Sequence, residues 1–240
     1  MIGVSGTRRE IMEIEILQMI KGARKAKGCA VIIDVFRAFS LECYMMAGGA
    51  ERVLPVGAKE TACRLKEEHP DYLLAGERHG AILPGFDMGN SPAQAEKMDL
   101  EGKTIIHTTS AGTQGVANAR KADIILTGSL VNAKATARYI RKENFPHVSL
   151  VCMGLEGKKP APEDLLCAEY MKSILEERPF DMESELKMLR KDPSVQKFFR
   201  KETAEIFPQE DYWLCTMTDR FDFVLQVKAL EEDVFETRKI

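Results

Sequence analysis

The sequence predicts an α/β fold with three layers, α/β/α, in which a mostly parallel β-sheet lies between two layers of helices. Short apolar segments rich in β-branched residues alternate along the chain with segments of helical periodicity. This alternation is typical of parallel strands that are joined by helical crossovers. Parallel sheets are covered on both faces, and their ligand sites lie at the carboxyl ends of the strands. We therefore expect an active site at that edge of the sheet.

Six apolar segments form the predicted core of the sheet, and residues 13–17 offer an additional first strand. The six are residues 30–35, 53–56, 72–75, 104–107, 123–126 and 148–152. The helical patterns between them lie at residues 40–48, 58–68, 113–120, 131–143 and 163–177. We interpret residues 1–240 as a single α/β domain with a core at about 12–178. Residues of about 179–240 are expected to form a solvated helical cap and an edge strand at 222–227, to which we assign no chemistry.

The composition narrows the classes of partner. The chain has 34 Lys and Arg against 37 Asp and Glu, a formal net charge of −3, so the basic surface expected of a nucleic-acid-binding protein is missing. Neither a signal peptide nor an apolar run of about 20 residues is found, which predicts a cytoplasmic protein without a membrane partner. The six cysteines contain no C-x-x-C pair and are interpreted as reduced core thiols. We expect a small-molecule ligand, and a homodimer stays open.

The loop at residues 76–92 is the most informative segment of the chain. It is polar and rich in glycine, and it follows the apolar run at 72–75, so it is expected at the carboxyl end of a strand. Its polar side chains are Glu77, Arg78, His79, Asp87, Asn90 and Ser91. Arg78-His79-Gly80 also matches the signature of histidine phosphatases, in which the histidine is phosphorylated. That motif normally follows the first strand, so phosphohistidine chemistry at His79 is kept only as an alternative.

Asp34 interrupts the apolar run at residues 31–36. A carboxylate at the end of a buried strand is costly unless a metal, an arginine or backbone amides compensate its charge. Arg37 follows closely, and a structural ion pair between Asp34 and Arg37 is the alternative to a metal site.

A second polar cluster follows the predicted strand at 104–107. Thr109, Ser110, Gly112 and Thr113 combine hydroxyl groups, a glycine and the amides of a helix start, and such a turn binds phosphate or an oxyanion well. The alternative is a capped turn in which the hydroxyl groups satisfy only the backbone.

Glu163 and Asp164 lie in the first turn of a predicted helix. Carboxylates there are ordinary partners of the helix dipole. One of them could instead turn toward Asp34 and Glu77, and such a set of oxygen ligands from separate strand ends suits Mg²⁺. Which of the two would face the metal stays open.

These motifs, in this order and spacing, resemble the 2-phosphosulfolactate phosphatase family. The matching segments are residues 31–38, 76–78, 85–92, 108–113 and 163–168. The resemblance implies a Mg²⁺-dependent phosphatase that hydrolyses the phosphate ester of a small anionic hydroxy acid, on a route to coenzyme M.

The residues and the resemblance together define the expected site. Asp34 and Glu77, with Glu163 or Asp164, would hold Mg²⁺. The other expected catalytic residues are Arg37 and Arg78, which would bind anionic oxygens, and Asp87, which would act as a general acid or base or fix the loop. The expected substrate-binding residues are Asn90, Ser91, Thr109, Ser110, Gly112 and Thr113.

A second hypothesis is a non-catalytic module that binds a phosphorylated metabolite. It rests on three departures from the family pattern, namely Phe39, Ser40 and Gln114. The last replaces an arginine of the family, and the first two replace part of a threonine run.

Overall fold

The computed structural model describes residues 12–240, and residues 1–11 of the predicted 1–240 domain lie outside the described part. Within it, one sheet contains ten strands. They are β1 (Glu13–Gln18), β2 (Gly28–Ile33), β3 (Arg52–Pro55), β4 (Leu73–Arg78), β5 (Ala81–Ile82), β6 (Thr104–Thr108), β7 (Ala122–Gly128), β8 (His147–Cys152), β9 (Leu225–Glu231) and β10 (Val234–Lys239). Residues 12–240 also form nine α-helices, namely α1 (Met19–Ala23), α2 (Ala38–Ala47), α3 (Lys59–Glu68), α4 (Pro92–Ala95), α5 (Gly112–Asn118), α6 (Ala133–Glu143), α7 (Pro162–Leu175), α8 (Met182–Leu189) and α9 (Gln209–Thr216). Short 3₁₀ helices lie at Leu130–Asn132, Gln196–Phe199 and Lys201–Thr203.

The sheet consists of two parallel halves that an antiparallel hairpin joins. Its strand order is β1-β8-β2-β7-β9-β10-β3-β6-β4-β5. Strands β1, β8, β2 and β7 pair in parallel, and so do β3, β6 and β4. The hairpin of β9 and β10 pairs antiparallel with β7 on one side and with β3 on the other. These pairings confirm the predicted α/β class with a mostly parallel sheet.

Helices cover both faces of the sheet, which agrees with the predicted three-layer arrangement. Val31 of β2 belongs to the core on one face, together with Ile140 of α6 and Met171 of α7. The next residue, Ile32, belongs to the core on the other face, together with Val116 of α5. Successive side chains of a strand point to opposite faces. Because both faces are buried, β2 appears in the sequence as an unbroken apolar run rather than as an alternating one.

The predicted position of the edge strand is wrong, because β9 lies inside the sheet. Val227 of β9 is opposite Ile125 of β7, and Thr237 of β10 is opposite Val53 of β3. Leu225 and Val227 of this strand are buried between its neighbours, and only its second half, residues 228–231, is exposed as in an edge strand. The helical segment at 179–210 is also more than a solvated cap. Its Phe198 is completely buried in the core that contains β2, β7 and β8.

The carboxyl ends of β2 and β4 open on the same pocket although the pairing pattern reverses direction between them. Three antiparallel steps separate the two halves. Neighbouring strands rotate by roughly 20–25° relative to one another, and six steps from β2 to β4 add up to roughly 120–150°. We attribute the convergence of the two strand ends to this twist, which offsets most of the reversal.

Among the helices of residues 12–240, none combines the length and the apolar character that crossing a bilayer requires. All six cysteines lie in this part of the chain and are free thiols, and five of them are buried. This confirms their interpretation as core residues.

Candidate active site

A small pocket of about 100 Å³ opens where β2, β4, β6 and β8 end. Loops that follow these strands form its walls, and residues of the 196–207 segment close one side. Most of its polar lining comes from predicted site residues, namely Asp34, Glu77, Asn90, Ser110, Glu163 and Asp164. Four of these six side chains are carboxylates, and Glu156 is a fifth. Arg37, His79 and Lys197 also line the pocket, so acidic residues outnumber basic ones there.

Asp34 directly follows β2 and is only 6% exposed. Its Oδ1 accepts a hydrogen bond of 3.1 Å from the Ala38 amide at the start of α2. Gly112 lies so close that a Cβ atom there would be 3.0 Å from the Asp34 Oδ2. Burial raises the pKa of Asp34 to about 6, and the nearby Glu77 adds to the rise. The alternative of an ion pair with Arg37 is not what the structure shows, because Arg37 pairs with Asp211 at 2.7 Å.

Glu77 ties the loop after β4 to the loop after β6. Its Oε1 accepts a hydrogen bond of 2.7 Å from the Ser110 amide, and its Oε2 accepts one of 2.7 Å from the Gly80 amide. Both oxygens are therefore engaged with the backbone on one side, while the side chain still lines the pocket. The carboxylate positions two loops and contributes negative charge.

Asp164 has a similar role between β2 and β8. Its Oδ1 accepts a hydrogen bond of 2.8 Å from the Val35 amide, and its Oδ2 accepts one of 2.7 Å from the Gly154 amide. Burial, with Asp34 and Glu163 nearby, raises the pKa of Asp164 well above its usual range.

Glu163 has the freer carboxylate of the two neighbours in α7. No other described side chain donates a hydrogen bond to it. Burial raises the pKa of Glu163 to about 7, and the positive charge of Lys197 opposes that rise. A helix start alone would have lowered the pKa, so burial outweighs the helix dipole here.

The acidic residues are close enough to influence one another, but they do not form a ready-made metal centre. In residues 12–240, no group of three or more His, Cys, Asp or Glu side chains has an arrangement that could hold a metal ion. Of the four carboxylates, Asp34 and Glu163 are the two with the fewest hydrogen bonds from backbone amides.

The residues of the predicted phosphate-binding turn have two different roles, since some bond the backbone of the turn and others line the pocket. The Thr113 amide donates a 3.1 Å hydrogen bond to the Thr109 Oγ1, and the Thr109 amide donates a 3.0 Å bond to the Thr113 Oγ1. These two hydroxyl groups thus serve the backbone, as the alternative interpretation expected. Ser110 differs, because its Oγ is buried at the pocket without a hydrogen-bond partner among the described residues. Gly112 has no side chain, and this lets the backbone of the turn lie close to the Asp34 carboxylate.

Arg78 and Asp87 do not face the pocket. The Arg78 guanidinium donates hydrogen bonds to the Glu77 carbonyl oxygen at 2.7 Å and to the Thr108 Oγ1 at 3.2 Å. Asp87 accepts a 2.7 Å bond from the Leu74 amide, near the amino end of β4 and thus at the end of the strand opposite Glu77. This placement corrects the predicted role of Arg78, which binds β4 and β6 rather than substrate, and for Asp87 it favours the predicted alternative of fixing the loop over that of a general acid or base.

Asn90 lines the pocket and is one end of a row of buried polar contacts that runs through His107 to Glu42. The His107 Nε2 is 3.1 Å from the Asn90 Oδ1, and the His107 Nδ1 is 2.9 Å from a carboxylate oxygen of Glu42. The carbonyl oxygen of the Asn90 amide is thus turned toward His107, and its amide nitrogen is left for the pocket. Ser91 instead caps α4 and donates a 2.8 Å hydrogen bond to Asp211, which corrects its predicted contact with substrate.

Arg37 lines the pocket, but most of its donors are already used. Its Nη1 donates to Asp211 at 2.7 Å and to the Ile206 carbonyl oxygen at 2.9 Å, and its Nη2 donates to the Gly80 carbonyl oxygen at 3.0 Å. Both partners of the Arg37–Asp211 pair are buried, so the pair holds the 206–211 segment against the site.

His79 lies on the rim of the pocket with its side chain 80% exposed. Its Nδ1 is 2.5 Å from an oxygen of Glu156. This exposed position favours a rim residue over a buried nucleophile.

Two residues of the site come from the segment that was assigned no chemistry. Asp211 holds Arg37, and Lys197 lines the pocket. Nothing in the local sequence indicates either role, because both residues reach the site through tertiary packing.

The fold and the pocket define an α/β protein with an acidic site at the ends of its parallel strands. The chain belongs to the 2-phosphosulpholactate phosphatase family, whose model matches residues 14–229. A similar protein of Bacillus subtilis, named a probable 2-phosphosulfolactate phosphatase, is 33% identical over 200 residues, or 82% of this chain and 86% of that protein. A protein of the same name from Caldanaerobacter subterraneus is 34% identical over 211 residues, covering 82% and 87%. One from Caldicellulosiruptor saccharolyticus is 42% identical over 145 residues, covering 59% and 60%. These matches confirm the resemblance that the motifs indicated.

Proposed function

We propose that this protein hydrolyses the phosphate ester of a small anionic hydroxy acid, such as 2-phosphosulfolactate, with the help of Mg²⁺. The observation that carries the proposal is the convergence of four carboxylates on one small pocket in a chain of this family. Buried acidic groups with raised pKa values are frequent at catalytic sites, because burial and neighbouring carboxylates disfavour their charged form until a ligand such as a cation compensates for it.

The donor set of the pocket suits Mg²⁺ chemically. Mg²⁺ prefers oxygen ligands, and it is usually bound by one or two carboxylates while water and substrate phosphate fill its other positions. Asp34 and Glu163 are the residues that would hold it, which does not require three protein ligands. When bound, the ion offers a positive charge to the phosphate and lowers the pKa of a coordinated water.

The remaining residues of the pocket have positioning and binding roles in this proposal. Glu77 and Asp164 hold the loops through their backbone hydrogen bonds and add to the negative potential that attracts a cation. Ser110 and Asn90 each present a donor to the pocket, and these would bind phosphate oxygens. In the transition state the charge on those oxygens is redistributed, so donors fixed in advance reduce the barrier.

The alternative of a non-catalytic module is less well supported. None of Phe39, Ser40 and Gln114 is among the described residues that line the pocket. The Ser40 Oγ donates to the Val35 carbonyl oxygen at 2.7 Å, and the Gln114 Nε2 donates to the Gly57 carbonyl oxygen. The three residues that depart from the family pattern therefore lie outside the lining of the pocket.

Phosphate release from purified protein tests the proposal. After treatment with EDTA, the protein is assayed with phosphorylated hydroxy acids and p-nitrophenyl phosphate against Mg²⁺, Mn²⁺ and Co²⁺. We expect metal-dependent release that falls by about a hundredfold or more in Asp34→Asn. Asp71→Asn, at an exposed position, is the matched control. Calorimetric binding of phosphate esters without release under any of these metals would favour the binding module.

The setting of the reaction stays a prediction. A place on a route to coenzyme M follows from the resemblance, whereas the cytoplasmic location, the absence of a nucleic-acid partner and the single domain over residues 1–240 follow from the composition and length of the chain, and a homodimer stays open. A screen of phosphorylated hydroxy acids tests the substrate, and light scattering tests the oligomeric state.

A further inference from the structure

The segment at residues 196–207 brings one lysine to the acidic pocket. We infer that Lys197 binds the second acidic group of the substrate, the one beside the phosphate ester, and so selects doubly anionic esters. This inference rests on the proposed phosphatase function and assigns its specificity to a residue outside the motifs that the sequence analysis singled out.

The ammonium group of Lys197 has donors to spare. Its Nζ lies 4.8 Å from the ring centroid of Phe207 and 5.5 Å from that of Phe198, so the two rings hold the side chain in place. No carboxylate oxygen of residues 12–240 lies within 4.0 Å of it. An ammonium group has three donors and no acceptor. In this pocket those donors are available to an anionic ligand.

Arg37, the buried cation of the pocket, cannot take this role as easily. Arg37 already donates to one carboxylate and two carbonyl oxygens. Freeing its guanidinium would break a buried ion pair with Asp211, which is costly. Among the described residues that line the pocket, Lys197 is the partly buried cation without such partners.

A second observation points to a ligand at the same place. The Ser110 Oγ is buried without a hydrogen-bond partner in the described part of the chain, and Ser110 and Lys197 line the same small pocket. A buried hydroxyl without a partner is destabilising unless a water or ligand satisfies it. An unpartnered hydroxyl and an unpaired ammonium together form the expected surroundings of an anion.

The charge of the pocket explains why a lysine is needed. Four carboxylates repel a substrate that carries two anionic groups. A bound divalent cation compensates for the phosphate ester, but the second acidic group then needs a positive charge of its own. Burial lowers the pKa of Lys197, and the nearby Glu163 and Asp34 oppose that lowering.

The position of Lys197 is fixed by the fold rather than by a free loop. Its neighbour Phe198 is buried and packs against Phe36, with 4.9 Å between the ring centroids. At the other end of the segment, the Ile206 carbonyl oxygen accepts a 2.9 Å hydrogen bond from Arg37. The lysine is therefore presented to the pocket by two anchored ends.

Two substrates measured on three variants test the inference. Phosphoglycolate carries a carboxylate beside its phosphate ester, whereas p-nitrophenyl phosphate does not. In Lys197→Met, which keeps the apolar stem, kcat/KM for phosphoglycolate should fall by about 10- to 100-fold, mainly through KM. The loss should be at least about tenfold larger than the loss for p-nitrophenyl phosphate. Lys197→Arg should recover part of it, and Lys201→Gln, at an exposed position, should behave as wild type.

Equal losses for the two substrates would overturn the inference, and so would an unchanged KM for phosphoglycolate in a folded Lys197→Met variant. Thermal unfolding establishes that each variant is folded. If the wild-type protein releases no phosphate, the proposed function fails, and calorimetric titration with phosphoglycolate still decides the role of Lys197. Weaker binding of phosphoglycolate by Lys197→Met than by wild type, with unchanged binding by Lys201→Gln, would support that role. Equal affinity of Lys197→Met and wild type would refute it.

Discussion

Replacing Asp34 by Asn should make the protein more stable at neutral pH and nearly inactive. The amide keeps the size of the carboxylate and can still accept the hydrogen bond from the Ala38 amide. It removes a negative charge that lies beside Glu77 and is only 6% exposed. Stability and activity should therefore change in opposite directions, as expected of a residue retained for function.

The magnitude follows from the pKa of Asp34, which burial raises from 3.8 to about 6. Because the folded state holds this proton more tightly than the unfolded state, protonation of Asp34 favours folding. That stabilisation is complete below the unfolded pKa and is lost as the pH rises through the folded pKa. A difference of about two pH units corresponds to about 3 kcal/mol at 1.36 kcal/mol per unit. Between pH 4 and pH 8, wild type should lose most of that amount relative to Asp34→Asn.

Urea denaturation in EDTA at pH 4, 6 and 8 measures this difference, with Asp71→Asn as the exposed control. Adding Mg²⁺ at pH 8 should restore stability to wild type more than to Asp34→Asn, because a ligand of the folded state stabilises it in proportion to binding. Equal pH dependence of the two unfolding free energies, or a variant that is less stable at pH 8, would refute the reasoning. Phosphate release by folded Asp34→Asn at the wild-type rate would refute the assignment of Asp34 to the active site.

Three further substitutions test other parts of the structure. Asp211→Asn should lower the free energy of unfolding by about 3–5 kcal/mol, because it leaves the Arg37 guanidinium buried without its carboxylate partner. Chemical denaturation measures this loss, and a loss below about 1 kcal/mol would contradict the prediction. Gly28→Ala should cost about 2 kcal/mol or more, because Gly28 has a φ of +63° and an added Cβ would lie 2.7 Å from the His147 Cβ. A thermal midpoint equal to wild type would argue against that close approach. His79→Ala should keep most of the phosphatase activity, whereas a phosphohistidine mechanism requires complete loss in the same assay.

The strand-end positions of the site residues could be predicted from sequence, but the convergence of those strand ends could not. Asp34, Glu77 and Ser110 each follow or end a buried apolar run, where parallel strands carry ligand sites, yet β2 belongs to one half of the sheet and β4 and β6 belong to the half that runs in the opposite direction. The assignment of side-chain partners was less successful. Arg37 has the chemistry of an anion-binding residue, but its charge is taken by Asp211, which is 174 residues away in the chain.

The contributions of the 196–211 segment could not be predicted because they depend on packing alone. Lys197 reaches the pocket because Phe198 is buried against Phe36 and Phe207, and no periodicity in the charged segment indicates that burial. The place of β9 in the sheet was missed for a similar reason. Its pairing partner β7 is distant in sequence, and a short strand that contains Gln226 and Lys228 has the composition of an edge strand.

The central hairpin has a consequence for the order in which the sheet is assembled during synthesis. Strands β7 and β3 meet only through residues 225–239, which leave the ribosome after every other strand. Until then the two halves carry unpaired edges along β7 and β3, and such edges are prone to pair with other chains. A nascent chain of this protein is therefore expected to depend on chaperones until the hairpin of β9 and β10 pairs between β7 and β3. A nonsense mutation before residue 225 would leave two half-sheets that cannot pair with each other, rather than a shortened enzyme.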